Sequence, residues 1–281
     1  MATNDLYETV TARVLHMMET HGDRWVNPFG KTTQAHNLVS QKAYKGINQI
    51  MLNWSQYDST TWATYKQWSD NGCQVRRGQR ATGIVFWSFI EKVDADGKKK
   101  TIPMLRHYSV FNAEQVDGYT APAEPTGTVD TLAVAETVFQ SIGATIEHTT
   151  KAAAYYVPAL DKIHMPVKSA FSDTPTSTAT ECYYSTLAHE CVHWTGHKSR
   201  LDRDLTGFSE QDYAREELVA ELGAAMLCAS LRISNEPRPD HAHYLNSWIK
   251  RLRDHKREFV VAAGAAAKAV DYITTKANYQ I

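Results

Sequence analysis

The chain is predicted to be α+β and to fold as two domains, on three observations. Residues 121–128 carry Pro122, Pro125 and Gly127 among small polar residues and read as an exposed linker. Before this seam, helical spacings give way to two long strand-like runs. After it, short strands precede three helical segments, so a small sheet packed on helices is expected. The boundaries expected are a first domain over 1–120, a linker over 121–129 and a second domain over 130–281.

At 281 residues, with 43% hydrophobic and 22% charged, the chain can bury a sizeable core and is neither a disordered tail nor a coiled coil. Met1–Val10 holds Asp5 and Glu8 with no apolar signal region, and no run approaches the roughly 18 apolar residues of a membrane span. A cytoplasmic protein that does not cross a membrane is expected. Cys73, Cys182, Cys191 and Cys228 form no C-x-x-C pair, which predicts reduced thiols.

In the first domain, Leu6, Val10, Val14 and Met17 recur at helical spacing and predict an opening helix ending near Gly22. A second helix should carry Ile47, Ile50 and Met51 after Gly46. Thr61 is placed to cap a short helix through Trp68, ended by Asn71-Gly72. The runs Thr82–Val93 and Thr101–Phe111, joined by the Asp94–Lys98 turn, predict a β-hairpin.

In the second domain, Leu132–Ile142 predicts a helix closed by Gly143, followed by strands over 144–148, 153–157 and 162–165. Thr178–Thr195 predicts a helix ended by Gly196, and Glu210–Arg232 the next. After Pro237 and Pro239, one long amphipathic helix is expected from His241 to Ala262 or beyond. Ile163 and Met165 are assigned to an edge strand able to receive an extended peptide.

The net charge of −1 conceals an asymmetry: Arg24 to Arg106 holds 13 basic and 5 acidic residues, which points that module at a polyanion. Five of seven tryptophans lie in the first domain, Trp25, Trp54, Trp62, Trp68 and Trp87, interleaved with Lys42, Tyr44, Lys45, Tyr65, Lys66, Arg76, Arg77 and Arg80. Cations that follow phosphates and rings that stack on bases are the combination expected for single-stranded DNA. The competing reading of each tryptophan is a core residue.

The strongest chemical signal is His189-Glu190-Cys191-Val192-His193, followed by Glu217-Leu218-Val219-Ala220-Glu221. Two imidazoles one helical turn apart face one ion, and the second run supplies a carboxylate from another helix. Two neutral imidazoles and one carboxylate suit Zn2+, with Mn2+ or cobalt also compatible, and leave a position for water. Glu190 is the expected general base of a metal-assisted hydrolysis. Cys191 is expected to pack inward. His197 competes as third ligand, but the G-x-x-H spacing of metzincins would need histidine where Ser199 stands. Tyr213, His241, His243 and Tyr244 are all open as oxyanion partners.

This arrangement resembles the zincin core, in which a ligand glutamate is often followed four residues later by an acid that orients a ligating histidine. The resemblance implies Glu217 as ligand and Glu221 as that partner; Glu221 and Glu216 stay open as the ligand instead, and beside Arg215 these acids are also readable as a solvated helix face.

Residues 27–112 resemble the N-terminal domain of the plasmid antirestriction ArdC family. The matching segments are Asn37–Asn48, Trp62–Trp68, Val75–Thr82 and Val85–Trp87. The chain departs at Ala35-His36, where a proline is expected before Asn37. The resemblance implies single-stranded DNA binding by the first domain, a metallopeptidase-like second domain, and protection of incoming plasmid DNA during conjugation. Two alternatives stay open: a zinc metalloprotease that cleaves a host protein while the DNA module only localises it, and a DNA coat whose metal merely holds the fold.

Overall fold

The computed structural model describes residues 8, 11–12, 14–16, 18–20, 34–53, 55, 57–93, 99–121, 131–151, 153–174, 177–203, 205, 210–233 and 241–280, with the side chains at 87–105, 131, 210–212, 241–245 and 247 left aside. The chain divides into two compact units, Gln34–Pro125 and the pair of segments Met1–Thr33 and Thr126–Ile281.

The Gln34–Pro125 unit is built on a four-stranded sheet of order β1-β2-β5-β4: β1 (His36–Asn37), β2 (Thr61–Thr64), β4 (Thr82–Val93) and β5 (Lys99–Asn112). β4 and β5 form the expected hairpin, in register from Thr82↔Val110 to Val93↔Lys99, although its turn, 94–98, lies outside the described residues. Neighbours on a strand face opposite sides, so Trp62 and Ala63 cover different faces. Trp62 packs with Ala35, Leu52, Ile84 and Val110, and Ala63 with Trp68, Val75, Ala113 and Val116. α1 (Ile47–Asn53) follows Gly46 as its apolar spacing requires. Its Asn48 side chain covers the edge of β4 as a strand would, donating to Val85 O at 2.6 Å and accepting from Val85 N at 2.8 Å.

The short helix α2 (Tyr65–Asp70) is capped by Thr64 and not, as expected, by Thr61. Thr64 and Gln67 form a reciprocal capping box, while Thr61–Thr64 is drawn into pairing with β5. A two-residue ladder of β3 (Gln74–Val75) with β6 (Val116–Asp117) completes the unit.

In the other unit, α3 (Thr131–Ser141) ends before Gly143, whose φ of +75° reverses the chain. A sheet of order β7-β9-β8 follows, from β7 (Thr145–Thr149), β8 (Tyr155–Val157) and β9 (Lys162–Pro166). β9 is therefore central, and its Ile163 and Met165 are fully buried. The edge assignment of these two residues is corrected: a strand paired on both sides has no free backbone to offer a peptide. The sheet packs on α4 (Ala179–Thr195), and α4 packs on α5 (Glu210–Leu231). From Leu218 to Leu231, α5 is buried almost all round, so it serves as the core helix of the unit.

The single long helix expected after Pro239 is two helices, α6 (His241–Asp254) and α7 (Glu258–Lys276), broken at the polar run 255–257. By spatial grouping, residues 1–33 go with 126–281. Val14 and Met18 are fully buried, Thr11 Oγ1 donates to Lys256 O at 2.6 Å, and Glu8 and Glu19 pair with Lys256 and Arg253. Leu6, Val10, Met17, Gly22, Trp25, Trp54 and most of the predicted linker lie outside the described residues. No described helix is long and apolar enough to cross a membrane.

Candidate metal centre

α4 is fixed at both ends by its own sequence. Thr178 and Glu181 form a capping box, and Gly196 closes the last turn. Within it, His189 and His193 fall one turn apart, with His189 and Glu190 each 1% exposed. α5 comes unusually close, because a Cβ on Gly223 would lie 2.7 Å from a Val192 methyl. Glycine there lets the helix bearing Glu217 and Glu221 reach the histidines.

The side chains converge as a ligand set. The Nε2 atoms of His189 and His193 are 3.0 Å apart, and the Glu217 carboxylate oxygens lie 3.4 Å from the first and 3.3 Å from the second. The ligand atoms of these three buried residues all fall within 4.8 Å of one another, a group able to hold a metal ion. The opposite ring nitrogens face carboxylates: His189 Nδ1 is 3.2 Å from Glu221, and His193 Nδ1 is 3.2 Å from Glu216. A carboxylate on Nδ1 keeps the proton there and turns Nε2 inward, which is the arrangement that metal-binding histidines need. The donor set therefore fits a divalent cation.

Electrostatics agree. Burial alone would depress the His193 pKa, but Glu216 and Glu217 outweigh it and raise it to about 10. Burial would raise Glu217, yet its contacts with His189 and His193 hold it far below the usual carboxylate range; Glu216 is lowered in the same way by His193 and Arg203. In the metal-free chain a proton thus stands in for the cation, which sets a pH dependence of stability. A raised histidine stabilises fully below its unfolded value of 6.5 and loses that contribution as pH climbs toward 10. The lowered carboxylates contribute above 4.5 and lose it as pH falls. The unfolding midpoint of the chelator-treated chain should peak between these limits and decline on the alkaline side, and Mn2+ should restore the alkaline side. A metal-free midpoint that rose from pH 6.5 to 10 would contradict this account.

Sequence reasoning left Glu216 open between an alternative ligand and helix surface, and gave Arg203 no role. Glu216 is only 12% exposed, held between His193 and an Arg203 fork at 2.8 and 3.1 Å. A charged pair thirteen residues apart through a loop has no spacing signature that could have revealed it. His197 points elsewhere, with Nδ1 2.8 Å from Ser199 Oγ. Cys191 is fully buried, and burial pushes its thiol pKa up. Tyr213 is half exposed, while the side chains of His241, His243 and Tyr244 lie outside the described residues.

The candidate DNA-binding residues divide by exposure. Trp62 and Trp68 are 1% and 0% exposed, and the Trp68 indole donates to Phe111 O at 3.0 Å; they are core residues, which corrects their assignment to base stacking. Tyr44 is half-buried, its hydroxyl accepting from Asn37 at 3.1 Å. The side chain of Trp87 lies outside the described residues. Tyr65 is 52% exposed and shares an open cleft with Gln74, Arg76, Arg77, Gln79 and Phe111. Lys42, Lys45, Lys66, Arg77 and Arg80 are exposed, with Lys66 3.0 Å from Asp70. The Arg76 guanidinium is tied to the fold, bonded to the carbonyls of Glu114 and Val116 and to Asp117. Exposed Phe86, opposite Arg106 on the hairpin, and Tyr108 were not anticipated; they share strand faces with buried Ile84 and Val110, so alternation gives no sign of their exposure.

Comparison with known proteins decides the family. Residues 4–111 match the N-terminal domain of anti-restriction factor ArdC, and residues 133–265 match a zincin-like metallopeptidase family. The metal-free crystal structure of the antirestriction ArdC protein from plasmid R388 superposes with a TM-score of 0.80 at 38% identity, covering 99% of this chain and 100% of that one. The chain belongs to the ArdC antirestriction family. The Mn(II)-bound structure of the same R388 ArdC gives a TM-score of 0.79 at 36% identity over 98% of this chain. Among relatives of the ArdC-family chain, protein y4eC of Sinorhizobium fredii is 37% identical over 96% of it and 91% of the relative. A DNA primase TraC of Escherichia coli is 36% identical over 98% of the chain, which spans only 27% of that primase.

Proposed function

We propose that the chain protects incoming plasmid DNA from restriction during conjugation, binding single-stranded DNA with its Gln34–Pro125 unit and a divalent metal, Zn2+ or Mn2+, with His189, His193 and Glu217. The observation that carries this reading is the match to R388 ArdC along nearly the whole of both chains. Support for the DNA partner comes from the cleft that joins exposed Tyr65 to Arg77, and from the exposed Arg80, Lys42 and Lys45. Support for manganese is the Mn(II)-bound relative.

When bound, the cation would supply Lewis acidity toward water and a peptide carbonyl. Glu221 and Glu216 hold the two imidazoles in register, and Glu217 closes the set. Glu190, buried one residue beyond His189, accepts the proton of the attacking water on its carboxylate and returns it to the leaving amine.

That buried glutamate favours a second reading, a metalloprotease that cleaves a host protein while the DNA unit localises it. Glu190→Gln separates the two, since it removes the proton acceptor and leaves every ligand in place. Protection measured by plasmid transfer into a restricting host should persist in Glu190→Gln while zinc- or manganese-dependent proteolysis is lost. Loss of protection with DNA binding intact would move the mechanism to proteolysis.

A further inference from the structure

We infer that Arg203 is a positioning residue of the metal centre, acting through Glu216 on His193, and that the loop after α4 is thereby part of that centre. The inference rests on the divalent-metal reading above. Each link is a direct contact. Arg203 Nε donates to Glu216 Oε2 at 3.1 Å and Nη2 to Oε1 at 2.8 Å, a bidentate fork, and that Oε1 lies 3.2 Å from His193 Nδ1.

The two histidines are held differently. Glu221 sits one turn beyond Glu217 on the same face of α5, so one helix orientation serves both. Glu216 precedes Glu217 and points about 100° away around the helix, so it meets His193 from the side. Arg203 supplies the opposing grip. Its other donors bind Thr195 Oγ1 at 2.8 Å and Val192 O at 2.6 Å, fixing the guanidinium to the last turn of the histidine helix. The backbone helps, because Arg203 N donates to Gly196 O at 2.9 Å and a Cβ on Gly196 would stand 3.0 Å from Nη2. Arg203 is a rigid strut between α4 and α5, only 13% exposed. Its charge also offsets Glu216, one of the carboxylates at 190, 216, 217 and 221 on these two helices.

The test uses the full chain stripped of metal and titrated with Mn2+ and Zn2+ against a chromophoric chelator. Glu216→Gln should bind about 10-fold more weakly and Arg203→Ala about 10–100-fold more weakly. Arg203→Lys should fall between wild type and Arg203→Ala, since it keeps the charge and loses the fork. The double variant should be no weaker than the worse single one, because both break one relay. Arg200→Lys loosens the same loop from Asp161 and Tyr156 without touching Glu216, and should bind metal as wild type does. Wild-type affinity in Arg203→Ala, additive losses in the double variant, or an equal loss in Arg200→Lys would each reduce Arg203 to loop packing. If Arg203→Ala does not fold, Arg203→Lys and the isosteric Glu216→Gln decide. Failure of the wild type to bind either cation would overturn the metal reading itself, whereas binding unchanged across the variants would overturn only the relay.

Discussion

His189→Ala is expected to emerge from purification without stoichiometric metal, as measured by elemental analysis of the desalted chain. The substitution removes one of two converging Nε2 atoms and leaves His193 and Glu217 to hold a cation alone. Because loss of an outer partner of a metal ligand costs roughly 10–100-fold, loss of a ligand should exceed that range. His193→Ala should behave alike, and His197→Ala should retain metal, its Nδ1 being bonded to Ser199. Among the carboxylates, Glu217→Ala should damage binding most, since its oxygens approach both Nε2 atoms, whereas Glu221 faces only an Nδ1. Were Glu221→Ala the more damaging, ligand and orienting partner would have to be exchanged.

Neutralising Arg77 and Arg80 together is expected to abolish protection in the transfer assay while leaving the metal in place. Both side chains are exposed, Arg77 in the cleft with Tyr65 and Arg80 three residues further on, so their loss should act on DNA affinity and not on the fold. Each lost phosphate contact should reduce the dependence of log affinity on log salt by about 0.7 for single strands, or about 1.4 for the pair. Arg76 should respond differently: its guanidinium ties β6 to the 74–79 turn, and its loss should lower thermal stability as well. An unchanged salt slope in the Arg77, Arg80 variant would remove this turn from the DNA surface.

What the sequence revealed follows local rules. The histidine helix was legible because Thr178 and Glu181 are a local start signal and Gly196 a local stop signal, and the β4–β5 hairpin because its pairing is contiguous. Strand order was not legible, since nothing in Lys162–Pro166 states that β7 and β8 flank it on both sides. The α6–α7 break was hidden by its periodicity. Buried Trp248, Leu252, Phe259, Ala263 and Ala266 fall at spacings of four, seven, four and three, all in phase with one continuous helix. Trp62 and Trp68 illustrate another limit, because a tryptophan among cations carries the same signal whether it packs inward or faces a base.

The grouping of residues 1–33 with 126–281 has a consequence for the order in which the chain matures. On a ribosome the Gln34–Pro125 unit emerges with all its strand-pairing partners within its own span, and its contiguous β4–β5 hairpin can zip early. The segment that precedes this unit must wait for Arg253 and Lys256, some 234 to 248 residues later, before Glu19, Glu8 and Thr11 find their partners. Loop closure over such a span is a slow-growing entropic cost, but it cannot begin until Arg253 and Lys256 have been made. The metal-bearing unit is thus completed late, by contacts between segments that lie on either side of the Gln34–Pro125 unit in the sequence.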